Sequence, residues 1–253
     1  MAGMTRNDKT TTPTALVTGG SAGLGLELAR GLLGRGWRVI VDARDAGRLA
    51  QAASQILDGP PSAAGRLVAV AGDVTDPGHR AELARRVDDC GRLDLLVHNA
   101  STLGPTPLRP LAWLDPTDLD ALWATNVVAA NALTALLAPR LKADHGVLVS
   151  ISSDAAVEHY ETWGGYGATK AALDHLTLTW AAETGITGYA VDPGDMRTAM
   201  HASAFPGEDI SDRPLPATVV PRLLALLDER PVSGRYRAAD FTPVSEASTG
   251  VAS

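Results

Sequence analysis

Apolar and polar positions divide this chain into two kinds of segment that take turns. Short continuous apolar runs fall at residues 14–18, 37–44, 67–71, 93–97, 146–151 and 189–192, with a weaker one near 235–237. Because these runs are apolar throughout rather than at every second residue, they predict strands covered on both faces. Between them lie longer stretches whose apolar residues recur at helical spacing: 26–33, 45–58 (broken by Gly59-Pro60-Pro61), the segment after Pro77, 119–141, 166–182 and 217–229. Strand and helix in regular alternation predict a right-handed, doubly wound parallel sheet of about seven strands, an α/β fold with helices on both faces. One domain over residues 13–241 accommodates all of it. Polar tails over 1–12 and 242–253 are expected to be disordered.

Chemistry gathers where predicted strands end. After the first strand comes Gly19-Gly20-Ser21-Ala22-Gly23-Leu24-Gly25, which then opens a helix. Gly19, Gly23 and Gly25 lack Cβ atoms, so the backbone can turn tightly and approach a pyrophosphate at the helix N-terminus, with Ser21, Ala22 and Leu24 alongside. The second strand ends in Asp42-Ala43-Arg44, and its two charges point opposite ways. Asp42 suits a ribose 2′-hydroxyl, as in NAD, whereas Arg44 suits the 2′-phosphate of NADP. Asp73 and Val74, at the third strand end, are candidates for adenine contact; the competing role for Asp73 is a cap for the helix after Pro77. Asn99, Ala100 and Ser101 follow the fourth strand as a small-residue floor, and His98 reads as a hydrogen-bonded structural residue. Pro193, Gly194, Met196 and Thr198 form a turn able to hold a nicotinamide carboxamide.

The fifth strand delivers Ser152 and Ser153, and Tyr166 and Lys170 follow at a spacing of one helical turn. A free phenol has a pKa near ~10 and exchanges protons poorly at neutral pH, and a nearby cation favours its phenolate. Lys170 would supply that cation, and the Ser153 hydroxyl would meet the same substrate oxygen. Four tyrosines and three lysines produce the bare spacing by chance in roughly one chain in twenty, so it needs the surrounding elements to mean anything. Asn126 lies in the middle of a long apolar helix, where an amide is costly without partners, and is assigned a specific task near the lysine. His159, Tyr160, Trp163, Met200 and Phe205 are candidate substrate contacts, their aromatic share suiting a ring-bearing or apolar substrate. Residues 199–215 are expected to form a mobile cover.

Composition narrows the setting. A formal charge of −7 and a pI near 5.3 argue against nucleic-acid and anionic-membrane partners. Cys90 is the only cysteine, so no internal disulfide forms, and a cytoplasmic setting is expected. No secretory signal is visible in residues 1–12. Charged residues are expected to interrupt every apolar run before it reaches membrane-spanning length. No His, Cys and Asp cluster has metal-ligand spacing, and no Ser, His and acid set forms a hydrolase triad.

Taken in order, Thr18-Gly19-x-x-x-Gly23-x-Gly25, Asp73, His98-Asn99-Ala100, Asn126, Ser153, Tyr166-x-x-x-Lys170 and Pro193-Gly194 resemble the classical short-chain dehydrogenases/reductases from residue 14 to about 240. The resemblance implies a Rossmann-type fold, a nicotinamide cofactor and a small-molecule carbonyl or alcohol substrate. It further implies Tyr166 as general acid/base, Ser153 orienting the substrate oxygen, Lys170 lowering the phenol pKa and holding the nicotinamide ribose, and Asn126 positioning a water. The family's usual Asn-Asn-Ala-Gly reads His98-Asn99-Ala100-Ser101 here. Its usual NAD-selecting acid would fall at Ala43, and Arg44 matches the position used for NADP, so NADP(H) is favoured over NAD(H). Members are usually dimers or tetramers. Trp163-Gly164 and Thr198-Ala199-Met200-His201 are faintly similar to sepiapterin reductase and related carbonyl reductases. Two other activities fit the same residues: redox-neutral isomerisation, elimination or cyclisation, and dinucleotide sensing without turnover.

Overall fold

In the computed structural model residues 12–57 and 65–243 are described. The two expected tails fall almost wholly outside the described residues, as does the Gly59-Pro60-Pro61 break. Seven strands form one sheet: β1 (Thr14–Val17), β2 (Arg38–Ala43), β3 (Leu67–Ala71), β4 (Leu95–His98), β5 (Val147–Ile151), β6 (Thr187–Asp192) and β7 (Gly234–Arg237). Every pairing is parallel, and the spatial order is β3-β2-β1-β4-β5-β6-β7. The order reverses between β1 and β4, which opens a crevice at the carboxyl ends of the strands.

The period-two geometry of a strand sorts the apolar runs into two cores. Leu16, Ile40, Leu96 and Leu148 stand in register on one face, packed beneath Leu83 and Val87 of α3 (Pro77–Cys90) and Leu133, Leu137 and Leu141 of α5 (Ala129–Ala143). Val17, Val41, Val97 and Val149 occupy the other face under α1 (Gly23–Gly34) and α8 (Pro216–Glu229). A Cβ on Gly31 of α1 would come 2.9 Å from Val220, so glycine there permits close packing of the two helices. The remaining helices are α2 (Ala46–Leu57), α4 (Pro116–Trp123), α6 (Gly164–Thr184) and α7 (Ala199–Ala204).

Two expectations need correction. α4 runs through a π-helical turn (Ala124–Val128) directly into α5, giving one helix of 28 residues, Pro116–Ala143, long and apolar enough to cross a membrane. The supposed interruption by charge fails because residues 121–139 contain no Asp, Glu, Lys or Arg. Half of its apolar window is buried against the rest of the chain, as for a core helix. The supposed cap at Asp73 belongs instead to Asp76, whose carboxylate accepts from Gly78 N at the start of α3 (2.9 Å).

Candidate active site

The crevice at the strand ends encloses about 910 Å³ and collects nearly all the residues singled out in the sequence. At its floor β1 turns into α1. Gly19 has φ +71°, and a Cβ there would lie 2.9 Å from Ala100 Cα, so the turn can close only on glycine. Asn99 locks this turn, donating from Nδ2 to the carbonyls of Thr18 (2.8 Å) and Gly19 (3.0 Å). Among the described residues no side chain caps the N-terminus of α1, and its first turn carries no acid. The free amides and the positive end of the helix dipole therefore face the crevice, an arrangement that fits a dinucleotide pyrophosphate. Ser21, Ala22, Gly23 and Leu24 line it; Gly25 is buried beneath, where a Cβ would collide with Gly19 O at 2.5 Å.

At the adenosine end the two opposed charges take different paths. Asp42 is 1% exposed and turned inward, accepting from Gly19 N (2.8 Å) and meeting His79 Nε2 (3.0 Å). It therefore braces the glycine turn. Arg44 and Arg48 line the crevice beside Asp73 and Val74. Burial opposes ionisation of Asp73, but hydrogen bonds from Thr75 N and Oγ1 (2.8 Å each), with Arg44 and His79 nearby, outweigh it and hold the carboxyl below its ordinary range. This cationic corner fits a 2′-phosphate.

β5 ends at Ile151, placing Ser153 against the first turn of α6, which carries Tyr166 and Lys170 on one face. α6 begins two residues before Tyr166, and Gly167 allows it to pack on Ala155 O, which a Cβ would approach to 2.4 Å. Lys170 is 2% exposed and donates from Nζ to the Ile151 carbonyl (2.7 Å); Nζ stands 5.5 Å from the Tyr166 ring centroid. Burial holds its pKa down at about 8, with Asp174 pulling the other way. Burial also pushes the Tyr166 phenol well above its ordinary value, reinforced by Asp154 and Asp192 and opposed by the Ser101 and Ser153 hydroxyls. Within the protein alone, then, Lys170 does not bring about the expected lowering of the phenol pKa. Desolvation dominates.

Other sequence candidates resolve individually. Asn126 lies in the π-helical turn and does not line the crevice. Its Oδ1 accepts from Thr102 N (2.9 Å) and Ser101 Oγ (3.2 Å), and its Nδ2 donates to Thr102 O and Thr169 Oγ1 (2.9 Å each). All four hydrogen-bonding positions of the amide are used, so the side chain clamps the 101–102 loop to α6 and has none left for a water. His98 is buried and pairs through Nε2 with Thr134 Oγ1 (2.7 Å); burial and the nearby Lys170 hold its pKa down at about 3, so it is neutral. Ser153 donates to Asp154 Oδ1 (3.0 Å), and Tyr160 Oη donates to Oδ2 of the same carboxylate (2.9 Å). Pro193, Gly194, Met196 and Thr198 line the crevice, and Thr198 caps α7 by accepting from His201 N (3.1 Å). Tyr160, Trp163, Met200 and Phe205 line it as well, Trp163 standing between Tyr166 (5.7 Å) and Phe205 (5.8 Å). His159 is exposed and does not line it. Sequence reasoning passed over Arg48, Leu103, Asp154, Glu161, Asp195 and His201, which also line the crevice. Only their proximity in sequence to strand ends would have marked them.

A family model described as short chain dehydrogenase matches residues 13–209. The chain belongs to the short chain dehydrogenase family. The oxidoreductase YciK of Escherichia coli K12, whose own function is uncharacterized, is 34% identical over 218 residues, covering 85% of each chain. Serine 3-dehydrogenase of Agrobacterium fabrum is 28% identical over 251 residues, 94% of this chain and 96% of that one. Among solved structures, a short chain dehydrogenase of Shigella flexneri complexed with NADP superposes with a TM-score of 0.82 at 31% identity, covering 90% of this chain and 97% of its own. One from Escherichia coli CFT073 complexed with NADPH gives 0.81 at 33%, covering 89% and 96%. The protein is thus an oxidoreductase of this family with a Rossmann-type sheet and a dinucleotide crevice.

Proposed function

We propose that this dehydrogenase uses NADP(H) to interconvert a ketone and its alcohol, with Tyr166 as the general acid/base. The observation carrying the reading is the meeting of Ser153, Tyr166 and Lys170 at one end of a crevice whose other end holds Arg44 and Arg48. The uncapped α1 amides would take the pyrophosphate, Arg44 the 2′-phosphate, and the 193–198 turn the carboxamide. The NADP-bound and NADPH-bound relatives support that choice of nucleotide. The bound cofactor supplies or accepts the hydride.

The chain's own residues manage position and proton. Burial keeps the Tyr166 phenol protonated, so Oη has a proton to deliver to the carbonyl oxygen during reduction. Ser153 Oγ turns from Asp154 to the same oxygen and aligns it. Lys170, fixed on Ile151 O, presents its remaining hydrogens to the cofactor ribose and stabilises the phenolate that the transfer leaves. Asn126 acts through position, keeping the 101–102 loop against α6. Trp163, Phe205 and Leu103 form the apolar wall that excludes water. The exposed Trp123, Val128 and Leu136 support assembly of this helix face into a homodimer or homotetramer.

The test is NADPH consumption with a panel of ketones and diketones. Loss of the reduced nicotinamide absorbance with matching alcohol formation supports the reading. Product formed with no absorbance change would replace it by redox-neutral chemistry, and tight NADPH binding without turnover by a sensing role.

A further inference from the structure

One guanidinium outside the Ser153, Tyr166 and Lys170 set ties their supports together. Arg235 lies on β7, 82 residues from Ser153 and 61 from Asp174. Its Nη2 donates to the Ser153 carbonyl (2.9 Å) and its Nε to Asp174 Oδ2 (3.0 Å), while Asp192 Oδ2 stands 3.9 Å from Nη2. Each contact reaches a different part of the site. Ser153 follows β5. Asp174 is one helical turn beyond Lys170 on α6. Asp192 ends β6 and accepts through Oδ1 from Gly194 N (2.9 Å), shaping the turn that would hold the carboxamide. Asp174 Oδ2 also accepts from Ser152 Oγ (2.7 Å).

We propose that Arg235 and Asp174 are positioning residues for the carbonyl chemistry, Arg235 by fixing Ser153 and Asp174 by sustaining the charge of Lys170. The inference rests on the ketone-reducing reading of this site. A bridge whose only task was to hold β7 to the sheet would satisfy both carboxylate oxygens. Here Asp174 Oδ1 is buried with no hydrogen-bond partner among the described residues. An unpaired buried carboxylate oxygen is expensive unless a nearby cation makes use of its charge. Lys170 is that cation, and each acts electrostatically on the other. The other titratable groups around the pair are Tyr166 on α6, neutral His98 on β4, Arg235 on β7 and Asp192 on β6, and Asp174 is the acid that acts on the ammonium; burial pushes the Asp174 carboxyl up, while Ser152, Arg235 and Lys170 hold it down.

The experiment compares full-length wild type, Asp174→Asn and Arg235→Lys, with kcat and KM followed across pH on a ketone the wild type reduces. Denaturant unfolding is followed across the same range. Asp174→Asn should lower kcat about tenfold or more with KM changed by less than about threefold, because the loss is one of arrangement and not of binding. Its alkaline activity limb should move to lower pH, since Lys170 without its counter-charge loses its proton sooner. Arg235→Lys keeps a cation beside Asp174 but cannot bridge to Ser153 in the same way. It should keep the wild-type alkaline limb while still losing kcat. A folded Asp174→Asn with wild-type kcat and pH profile overturns the proposal. So does an Arg235→Lys that matches wild type if Asp174→Asn fails to fold. Should the wild type reduce no ketone, the functional reading falls by itself. The link between Asp174 and Lys170 is then judged from unfolding, where the alkaline rise in stability must begin at lower pH in Asp174→Asn, and an unmoved rise overturns it.

Discussion

Lys170→Met removes a buried charge while keeping most of the side chain's length, and its effect on stability can be worked from the structure. Burial holds the Lys170 pKa at about 8, against an ordinary value of 10.5. Folding below pH 8 must therefore bury an ammonium, a cost of about 3 kcal/mol at roughly 1.4 kcal/mol for each unit of pKa. Between pH 8 and 10.5 the unfolded chain keeps a proton that the folded chain has released, so wild-type stability gains from this group as pH rises through that window. Methionine has no proton to release and shows no such gain. It also forgoes the charged hydrogen bond to Ile151 O, worth about 1.5–3 kcal/mol, and leaves Asp174 Oδ1 without its cation, so near neutral pH its stability should equal or fall modestly below that of wild type. Guanidinium unfolding of both proteins, at about pH 7 and about pH 10, reads the difference directly. The wild type should gain about 2 kcal/mol on Lys170→Met between the two conditions. A stability difference that stays constant with pH would refute the reasoning, because it would mean that burial does not lower the Lys170 pKa.

Further expectations follow from neighbouring parts of the crevice. Arg44→Ala should weaken NADPH binding by ten- to a hundred-fold, the equivalent of a charged contact of about 1.5–3 kcal/mol, and leave NADH binding nearly unchanged; fluorescence titration with both nucleotides decides, and equal losses contradict the 2′-phosphate assignment. Asp42→Ala leaves Gly19 N and His79 Nε2 without their acceptor, so it should cost about 1–3 kcal/mol per orphaned group in denaturant unfolding and weaken nucleotide binding as well. Unchanged stability would remove the inward pair from its bracing role. Asp154, Glu161 and Asp195 line the substrate end while Arg44 and Arg48 line the other. Carboxylate-bearing ketones should therefore show a kcat/KM about tenfold below matched neutral or amine-bearing ones, a gap that Asp154→Asn narrows; acidic ketones reduced as well as neutral ones would count against it.

What the sequence made legible was whatever depends on neighbours along the chain. Continuous apolar runs announced β1 to β6, since both faces of a parallel strand are covered, and glycine spacing announced the turn before α1. The spacing of Tyr166 and Lys170 needs only one helical turn. What stayed hidden depends on side-chain direction after distant segments meet. Asp42 looked like a ribose acceptor because nothing local shows that His79, 37 residues on, waits inside to receive it. Asn126 looked available for a water because Thr102 and Thr169 reach it only when the loop and α6 close around the π-helical turn. Desolvation of Tyr166 is likewise a property of the packed site, so a spacing that brings a cation near a phenol could not give the direction of its shift. Arg235 belongs to the weakest of the predicted strands, and its hydrogen bonds to Asp174 and Ser153 exist only once the last strand joins the sheet.

The central claim is that Tyr166 Oη hands a proton to a ketone oxygen at the substrate end of this crevice. Single-turnover reduction of one ketone by Tyr166→Phe, with NADPH affinity measured on the same sample, tests it most directly. The account predicts a rate at least about a thousandfold below wild type, within the range for loss of a general acid, alongside NADPH binding changed by no more than about threefold. A rate near wild type, with the nucleotide still bound, would contradict it.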